Sequence, residues 1–228
     1  MNQDHLYTSL EPVGNLPNIF LVADGMGGHR GGGYASSCAV ETILEEARVC
    51  GDKDAAHILT RAIRKANEVI AHRAGEDERF AGMGTTVVAA CLDEDVLIAA
   101  NVGDSRLYVI HEDGIEQVTE DHSLVQEMVK FGGINKEEAR FHPNKNIITR
   151  AVGLEQELQV DCFIRKLRPG DRVLLCSDGL TDMLEDEQIR QIIDQKKDVR
   201  SAAQALVEAA NDSGGRDNIA VIVIDPFI

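Results

Sequence analysis

The chain has 228 residues, of which 43% are hydrophobic, and its 23 lysines and arginines against 39 aspartates and glutamates give a formal net charge of -16. A chain of this length and composition can bury enough apolar surface to fold as one domain without a disulfide or a structural metal. The acidic excess argues against the basic stripe through which proteins contact phosphate backbones, so we expect no nucleic-acid partner.

Two further features indicate where the protein works. The cysteines are odd in number, widely spaced and without a Cys-x-x-Cys pair: Cys38, Cys50, Cys91, Cys162 and Cys176. This pattern is typical of small buried thiols in a reducing compartment. No apolar stretch approaches the ~18 residues of a membrane span, and the N-terminus lacks the regions of a signal peptide. We therefore expect a cytoplasmic monomer with no membrane segment in this chain.

The first third of the chain alternates a strand with two helices. Residues 1–18 are polar and contain Pro12, Gly14 and Pro17, which predicts a loop or hairpin. The apolar run 19–23 predicts a buried strand that ends in Asp24-Gly25. Apolar residues at helical spacing then predict two amphipathic helices, over residues 34–50 and 55–72.

The middle of the chain is rich in strands. We predict strands over residues 85–92, 96–101, 106–110 and 115–118, separated by short gaps that only antiparallel neighbours allow. Because several of these runs are apolar on both faces, the sheet must be covered on both sides.

The remaining elements follow a weakly apolar segment. Residues 121–129 predict a short helix with Asp121 as its N-cap, and the polar segment 130–148 predicts a flap. Strands are then predicted at 158–167, 172–176 and 219–224, with helices at 187–195 and 201–211.

Acidic residues recur at the ends of the predicted strands. Asp24 and Asp178 each follow an apolar run and precede a glycine, and Asp217 lies just before the last strand. A single Asp-Gly step is more often an ordinary turn, as expected at Asp113-Gly114. Three such carboxylates together are the hard oxygen ligands that Mg²⁺ or Mn²⁺ requires.

The order of the motifs resembles a known family. Seven segments match in sequence order: Val22-Ala-Asp-Gly-Met-Gly-Gly-His29, Gly82-Met-Gly-Thr-Thr86, Asn101-Val-Gly-Asp-Ser-Arg106, Thr119-Glu-Asp-His-Ser-Leu124, Ile148-Thr-Arg-Ala-Val-Gly153, Cys176-Ser-Asp-Gly-Leu180 and Gly215-Arg-Asp-Asn218. They are similar to those of the metal-dependent Ser/Thr protein phosphatases of the protein phosphatase 2C (PPM) family, and Met-Gly-Gly-His resembles its bacterial branch.

The resemblance implies a fold and a set of ligands. The fold is α+β, a four-layer α-β-β-α sandwich in which two antiparallel sheets are flanked by helix pairs, with a small flap subdomain at about residues 130–148. The whole of 1–228 would be one catalytic domain. Asp24 would bridge two Mn²⁺ or Mg²⁺ ions, the carbonyl of Gly25 would bind one of them, and Asp178 and Asp217 would complete the other. Asp121 and Asp182 would hold a third ion.

The resemblance also implies the reaction. Two cations would lower the pKa of a bridging water and neutralise the phosphoryl oxygens while this water attacks a phosphoserine or phosphothreonine. The expected partners are phosphorylated proteins, and the activity would reverse the signalling of bacterial Ser/Thr kinases.

Several residues have a second interpretation. Asp121 could act only as an N-cap, and Asp182 only as an acid in the first turn of a helix. Asp104 is expected to pair with Arg106 or to cap a turn rather than to bind metal. His29 could donate a proton or serve as a local hydrogen-bond partner. Arg150 and Arg216 are candidate anion contacts, with a structural ion pair as the alternative.

Two other functions compete with hydrolysis by a metal-bound water. One is a regulatory binding module, a phosphatase fold weakened by a shortened start. The other is an aspartyl-phosphate phosphatase of the haloacid dehalogenase type, which needs a second acid two residues after its nucleophile, where this chain has Met26.

The start of the chain departs from the family pattern. Family members typically carry Arg-x-x-Asn-Gln-Asp, with the arginine on the substrate phosphate, and Asn2-Gln3-Asp4 matches only the end of this motif. We expect either that the arginine lies upstream of Met1, with the N-terminal strand truncated, or that this protein works without that contact. Asp4 would then lie behind the metal ligands.

This departure yields a first prediction. Extending the chain upstream with the arginine should lower KM for a phosphopeptide, because a bidentate arginine adds a strong charge-assisted contact to phosphate. Metal affinity, measured by Mn²⁺ titration, should change little. Equal KM values for the two proteins would contradict the prediction.

Overall fold

The structure, a computed structural model, describes residues 2–227, apart from the side chains of residues 28–30. The strands of its first sheet are β1 (Asp4–Ser9), β2 (Ile19–Met26), β3 (Gly84–Thr85), β4 (Val87–Asp93), β5 (Val96–Val102) and β8 (Asp161–Lys166). This sheet is antiparallel and runs in the order β1-β2-β4-β5-β8, with the short strand β3 paired to the end of β2.

The strands of the second sheet are β6 (Arg106–His111), β7 (Gly114–Gln117), β9 (Arg172–Cys176) and β10 (Val221–Ile224). This sheet is also antiparallel and runs in the order β10-β9-β6-β7. The β6–β7 hairpin pairs His111 with Gly114, which confirms the turn expected at Asp113-Gly114.

The helices lie outside the two sheets and in one long connection. They are α1 (Gly28–Val49), α2 (Ala55–Glu76), α3 (Leu124–Lys130), α4 (Lys136–Phe141), α5 (Asp178–Thr181), α6 (Asp186–Asp194) and α7 (Val199–Asp212). The pair α1 and α2 packs on the first sheet, and α6 and α7 pack on the second. This is the predicted α-β-β-α order of layers.

The alternation of side chains along the strands explains why both sheets are covered on two faces. In β4, Val87 and Ala89 pack towards the helices, whereas Val88 and Ala90 pack between the sheets. Because successive residues of a strand point to opposite faces, a continuous apolar run requires apolar partners on both sides. The layer between the sheets receives Leu175 from the second sheet.

The first long helix begins earlier than its pattern predicts. It starts at Gly28, after Gly27 with φ 115°, rather than at residue 34. The glycines of this first turn have low helix propensity, so the local sequence does not mark the start. Contacts of α1 with β2 and β3 supply the stabilisation that the local sequence lacks.

The cap predicted for the third helix is wrong. Ser123, not Asp121, is the N-cap of α3, and its Oγ accepts a hydrogen bond from the Gln126 backbone N–H at 3.3 Å. Asp182 is likewise not a first-turn acid, because it caps the C-terminus of the one-turn helix α5. The segment 130–148 holds α4, whose N-terminus carries a capping box formed by Asn135 and Glu138.

Two observations concern the environment of the chain. Within the described residues, no helix is long and apolar enough to span a membrane. All five cysteines are free thiols. Cys50, Cys91 and Cys176 are buried as expected, whereas Cys162 is exposed.

The packing between the sheets gives a stability prediction. Leu175→Ala should lower the free energy of unfolding by about 2–5 kcal/mol, because Leu175 is fully buried and its removal leaves a cavity. Ile164→Ala is the control, since Ile164 on β8 is 61% exposed and its truncation should cost less than about 1 kcal/mol. Urea unfolding at unchanged slope measures both values, and equal losses would contradict the assignment of this layer.

Candidate metal centre

The carboxylates of the strand ends meet at one end of the sandwich. Asp24 lies on β2 directly opposite Asp4 on β1, and Asp178 follows β9 of the other sheet. The charge of Asp178 acts on Asp24 and raises the pKa of its carboxyl group, after burial, which is the larger cause. The two sheets therefore bring together acids that lie far apart in the sequence.

The buried Ser177 links three chain segments next to these acids by hydrogen bonds. Ser177 Oγ donates a hydrogen bond to Asp4 Oδ2 at 2.8 Å and accepts one from the Ala220 backbone N–H at 2.9 Å. Its own backbone N–H bonds to the Ala220 carbonyl. The Asp4 side chain, at the start of β1, is thus bonded to the residue that follows β9.

Gly25 and Asp217 lie next to the same junction. The Gly25 backbone N–H donates to the carbonyl of Gln3 at 3.2 Å. Asp217 is exposed in the turn before β10, where its Oδ1 accepts the Asn218 backbone N–H at 2.7 Å. Its charge acts on both Asp4 and Asp178. The predicted core residues Asp24, Gly25, Asp178 and Asp217 are therefore neighbours.

Asp104 belongs to this cluster, although the sequence favoured a partnership with Arg106. The Asp104 side chain is buried in the loop after β5, and its charge acts on that of Asp24. Arg106 instead forms a forked ion pair with Asp121, from Nε at 3.0 Å and from Nη2 at 2.7 Å. The placement of Asp104 at a strand end, beside a glycine, was the sequence signal that could have identified it.

The two acids predicted for a third ion are bound by cations of the chain. Asp121 accepts the fork from Arg106 and a further bond from Gln117 Nε2 at 2.8 Å. Asp182 pairs with Lys145 Nζ at 2.5 Å. A third ion at these residues would have to compete with both ion pairs, and the assignment stays a prediction.

Burial and mutual repulsion raise the pKa of every acid at the centre of the cluster. The pKa values of Asp4, Asp24, Asp104 and Asp178 all lie above the ordinary value, first because burial disfavours the charged form and then because neighbouring carboxylates repel it. Such a group of acids is the electrostatic environment that a divalent cation relieves.

The donor set fits a hard divalent cation. Among the described residues, Asp4 Oδ1 and Asp178 Oδ1 are buried oxygens without a hydrogen-bond partner, and Asn101 Oδ1 is a third such atom. Buried polar atoms are usually paired, so two unpaired carboxylate oxygens in one cluster call for a ligand. In the described part of the chain, no three acid, histidine or cysteine side chains lie close enough together to hold a metal ion as they stand.

The cluster faces an open cleft of about 400 Å³. Asp104 and Asp178 line it, together with Lys136, Arg140 and Lys145 of the segment 130–148. Further acids, among them Glu137 and Asp186, line it as well, so acidic and basic side chains are mixed around the cleft.

The remaining candidate polar residues are Arg150, Arg216 and His29. Arg150 pairs with Asp161 through Nη1 to Oδ1 at 2.9 Å, which confirms the interpretation as a structural ion pair. Arg216 is exposed in the turn that carries Asp217. The side chain of His29 lies outside the described residues.

Comparisons with known families and proteins find similarity over most of the chain. The profile of the family described as "Protein phosphatase 2C" matches residues 1–221. The chain is 40% identical over 211 residues to the serine/threonine phosphatase stp of Listeria innocua, a match that covers 91% of this chain and 84% of the relative.

Solved structures extend the similarity to the fold. The serine/threonine phosphatase Stp1 from Staphylococcus aureus superposes with a TM-score of 0.91 at 34% identity, covering 99% of this chain and 90% of that one. The catalytic domain of the serine threonine protein phosphatase PstP, solved in complex with two manganese ions, superposes with a TM-score of 0.84 at 33% identity, with 99% and 93% covered.

A glycine between two of the acid-bearing turns tests the assembly of the cluster. A Cβ on Gly179 would lie 1.9 Å from the Asn218 carbonyl oxygen, so Gly179→Ala must push apart the turns of Asp178 and Asp217. We expect a loss of about 1–3 kcal/mol of stability and a weaker affinity for Mn²⁺, measured by thermal unfolding and calorimetric titration.

Gly75→Ala is the matched control. A Cβ on Gly75, in the last turns of α2, meets nothing within 4 Å, so this change should leave Mn²⁺ affinity unaltered. If Gly179→Ala bound Mn²⁺ as tightly as the wild type, the cluster would not depend on close contact between the turns of Asp178 and Asp217.

Proposed function

The chain belongs to the protein phosphatase 2C family and is a metal-dependent protein serine/threonine phosphatase, and from this premise we propose that Asp24, Gly25, Asp178 and Asp217 hold its catalytic cations. We further propose that the cations are two Mn²⁺ or Mg²⁺ ions. The manganese pair in the similar PstP catalytic domain supports this number and this class of metal.

One observation carries the proposal. Acids from both sheets are buried next to one another, and two of their oxygens lack any hydrogen-bond partner in the described chain. Burial of several like charges is costly unless an opposite charge compensates for it. A site of oxygen donors alone favours Mg²⁺ or Mn²⁺ over softer metals.

The protein's own groups fix where the reaction takes place. When bound, the divalent cations supply charge neutralisation for the phosphoryl oxygens and lower the pKa of the attacking water. The bonds of Ser177 to Asp4 and to Ala220 hold the ends of β1, β9 and β10 together. The Asp24 backbone N–H donates to Thr86 Oγ1 at 3.1 Å, so Thr86 fixes the backbone of this acid as well. This rigidity spares the site from reorganising as substrate binds.

The cleft suggests how a substrate reaches the acids. A phosphorylated side chain can enter this cleft, which Lys136, Arg140 and Lys145 line together with Asp104 and Asp178. Those cations can attract the anionic group before it reaches the centre. We propose that residues 1–228 act as one catalytic domain and that the segment 130–148 serves as its flap.

A further acid belongs in the proposed site. Asp121 and Asp182 remain candidates for a third ion if Arg106 and Lys145 release them. Asp104 needs no such exchange, because none of the salt bridges in the described chain includes it and its charge is coupled to Asp178. We therefore propose Asp104 as an additional carboxylate of the metal centre.

The substrates of this enzyme are phosphorylated proteins, and we propose that they include Ser/Thr kinases and the targets of those kinases. The free thiols support a reducing, cytoplasmic compartment. We also propose that the protein acts as a monomer.

Removal of one proposed ligand tests the metal centre. Asp178→Asn should lower kcat for p-nitrophenyl phosphate and for a phosphothreonine peptide by more than about 100-fold, since even residues behind metal ligands contribute 10–100-fold. EDTA should abolish wild-type turnover, and added Mn²⁺ should restore it. Asp113→Asn, in the exposed β6–β7 turn, is the control and should keep wild-type rates.

The same assay separates this proposal from the binding-module alternative. Wild-type protein that binds Mn²⁺ without hydrolysing either substrate would favour the module. Full activity of Asp178→Asn would contradict the proposed ligand set.

A further inference from the structure

In the loop between β5 and β6, the residue before Asp104 has a left-handed backbone conformation. Gly103 has φ +103°, and a Cβ there would lie 2.6 Å from the side chain of Thr86. This loop is also bonded to Thr86 through Ser105 Oγ, at 2.7 Å from Thr86 Oγ1. The direction in which Asp104 enters the cluster therefore depends on what holds Gly103.

A buried histidine holds the Gly103 peptide from the other side. His122 Nδ1 accepts the Gly103 backbone N–H at 3.0 Å, and the His122 backbone N–H donates to the Gly103 carbonyl at 2.9 Å. His122 is 7% exposed, so solvent does not replace these bonds. An N–H donor can face only an unprotonated nitrogen, which requires the neutral ring with its proton on Nε2.

Asp161 stabilises that tautomer, and Arg150 orients Asp161. His122 Nε2 lies 3.1 Å from Asp161 Oδ2, so the protonated nitrogen donates to the carboxylate. Arg150 Nη1 donates to Asp161 Oδ1 at 2.9 Å and also lies 3.0 Å from His122 Nε2. Because the guanidinium can only donate, the Asp161 carboxylate is the acceptor that both N–H groups share. The chain of contacts runs from Arg150 through Asp161 and His122 to the Gly103 peptide.

The same histidine contacts the C-terminal end of the proposed flap. The Thr149 backbone N–H donates to the His122 carbonyl at 2.8 Å, and Ser123 forms a β-bridge with Ile148. The end of the segment 130–148 and the start of α3 therefore meet at the residue that holds Gly103.

We propose that His122 is a positioning residue whose Nε2–H tautomer, fixed by Asp161, sets the Gly103 peptide and thereby the place of Asp104 in the metal centre. This inference rests on the proposed function, because it assigns Asp104 to the site that binds cations. His122 itself touches neither cation nor substrate in this proposal. It acts by fixing the backbone at Gly103 and thereby the position of the Asp104 carboxylate.

Three variants test the relay. Asp161→Asn can donate an amide N–H to Nε2, which permits the wrong tautomer and places two donors between His122 and Gly103. His122→Leu removes the acceptor. His122→Asn keeps an acceptor, because Asn Oδ1 occupies the position of Nδ1 relative to the Cβ atom.

The first readout needs neither metal nor turnover. In the metal-free protein, ¹⁵N spectra of the histidine ring should show an unprotonated Nδ1 and a protonated Nε2 for His122. Asp161→Asn should move these two signals, whereas Asp95→Asn should not. Asp95 is the matched control, since its side chain is 40% exposed against 39% for Asp161 and it too forms one ion pair with a basic side chain, Lys166 at 3.1 Å.

The second readout is cation affinity, measured by calorimetric titration with Mn²⁺. We expect His122→Leu and Asp161→Asn to weaken Mn²⁺ binding by about 10-fold or more, with kcat lowered and KM for the phosphopeptide nearly unchanged. His122→Asn should restore an affinity close to that of the wild type. Thermal unfolding of each variant establishes that it is folded before titration.

Two results would overturn the proposal. One is a wild-type His122 ring that carries its proton on Nδ1. The other is an Asp161→Asn protein that binds Mn²⁺ as tightly as Asp95→Asn does. If the wild-type protein has the expected tautomer and the expected affinity series but hydrolyses no phosphopeptide, the proposed function fails while the positioning role of His122 stands.

Discussion

Carboxylates held side by side and away from water are the constraint on which the rest of this structure depends. Burial and repulsion both raise the pKa values of Asp4, Asp24, Asp104 and Asp178, so each acid makes the charged form of its neighbours less favourable. An arrangement of this kind costs stability in the free protein. A ligand that binds the folded state alone, such as a divalent cation, offsets that cost through mass action.

The sandwich makes the arrangement possible because its two sheets end at the same place. Asp24 comes from the first sheet and Asp178 from the second, and Ser177 ties their layers through Asp4 and Ala220. Strands covered on both faces lose little freedom when a ligand binds, since packing has already fixed them. The weaker packing lies in the segment 130–148, where Phe131 and Phe141 are exposed and the cleft opens.

Acids of one residue type acquire different chemistry from their neighbours in space. Asp121, Asp161 and Asp182 are bound by Arg106, Arg150 and Lys145, whereas none of the salt bridges among the described residues includes Asp104 or Asp178. An ion pair favours the charged form of an acid, and its absence in a buried cluster leaves the charge to be balanced by a bound metal. The distinction between structural and ligating acids therefore depends on contacts between distant parts of the chain.

The sequence by itself predicted most of the strands and pointed to the acids Asp24, Asp178 and Asp217, because side-chain alternation and the Asp-Gly steps are local signals. It predicted only a loop or hairpin where β1 (Asp4–Ser9) lies. The family resemblance supplied the order of the layers and the reaction. Only the tertiary structure decided that α1 begins at Gly28, that Ser123 caps α3, and that Arg106 binds Asp121 and leaves Asp104 to the cluster. Those outcomes depend on packing and charge pairing between segments brought together by folding, and local propensity does not encode such contacts.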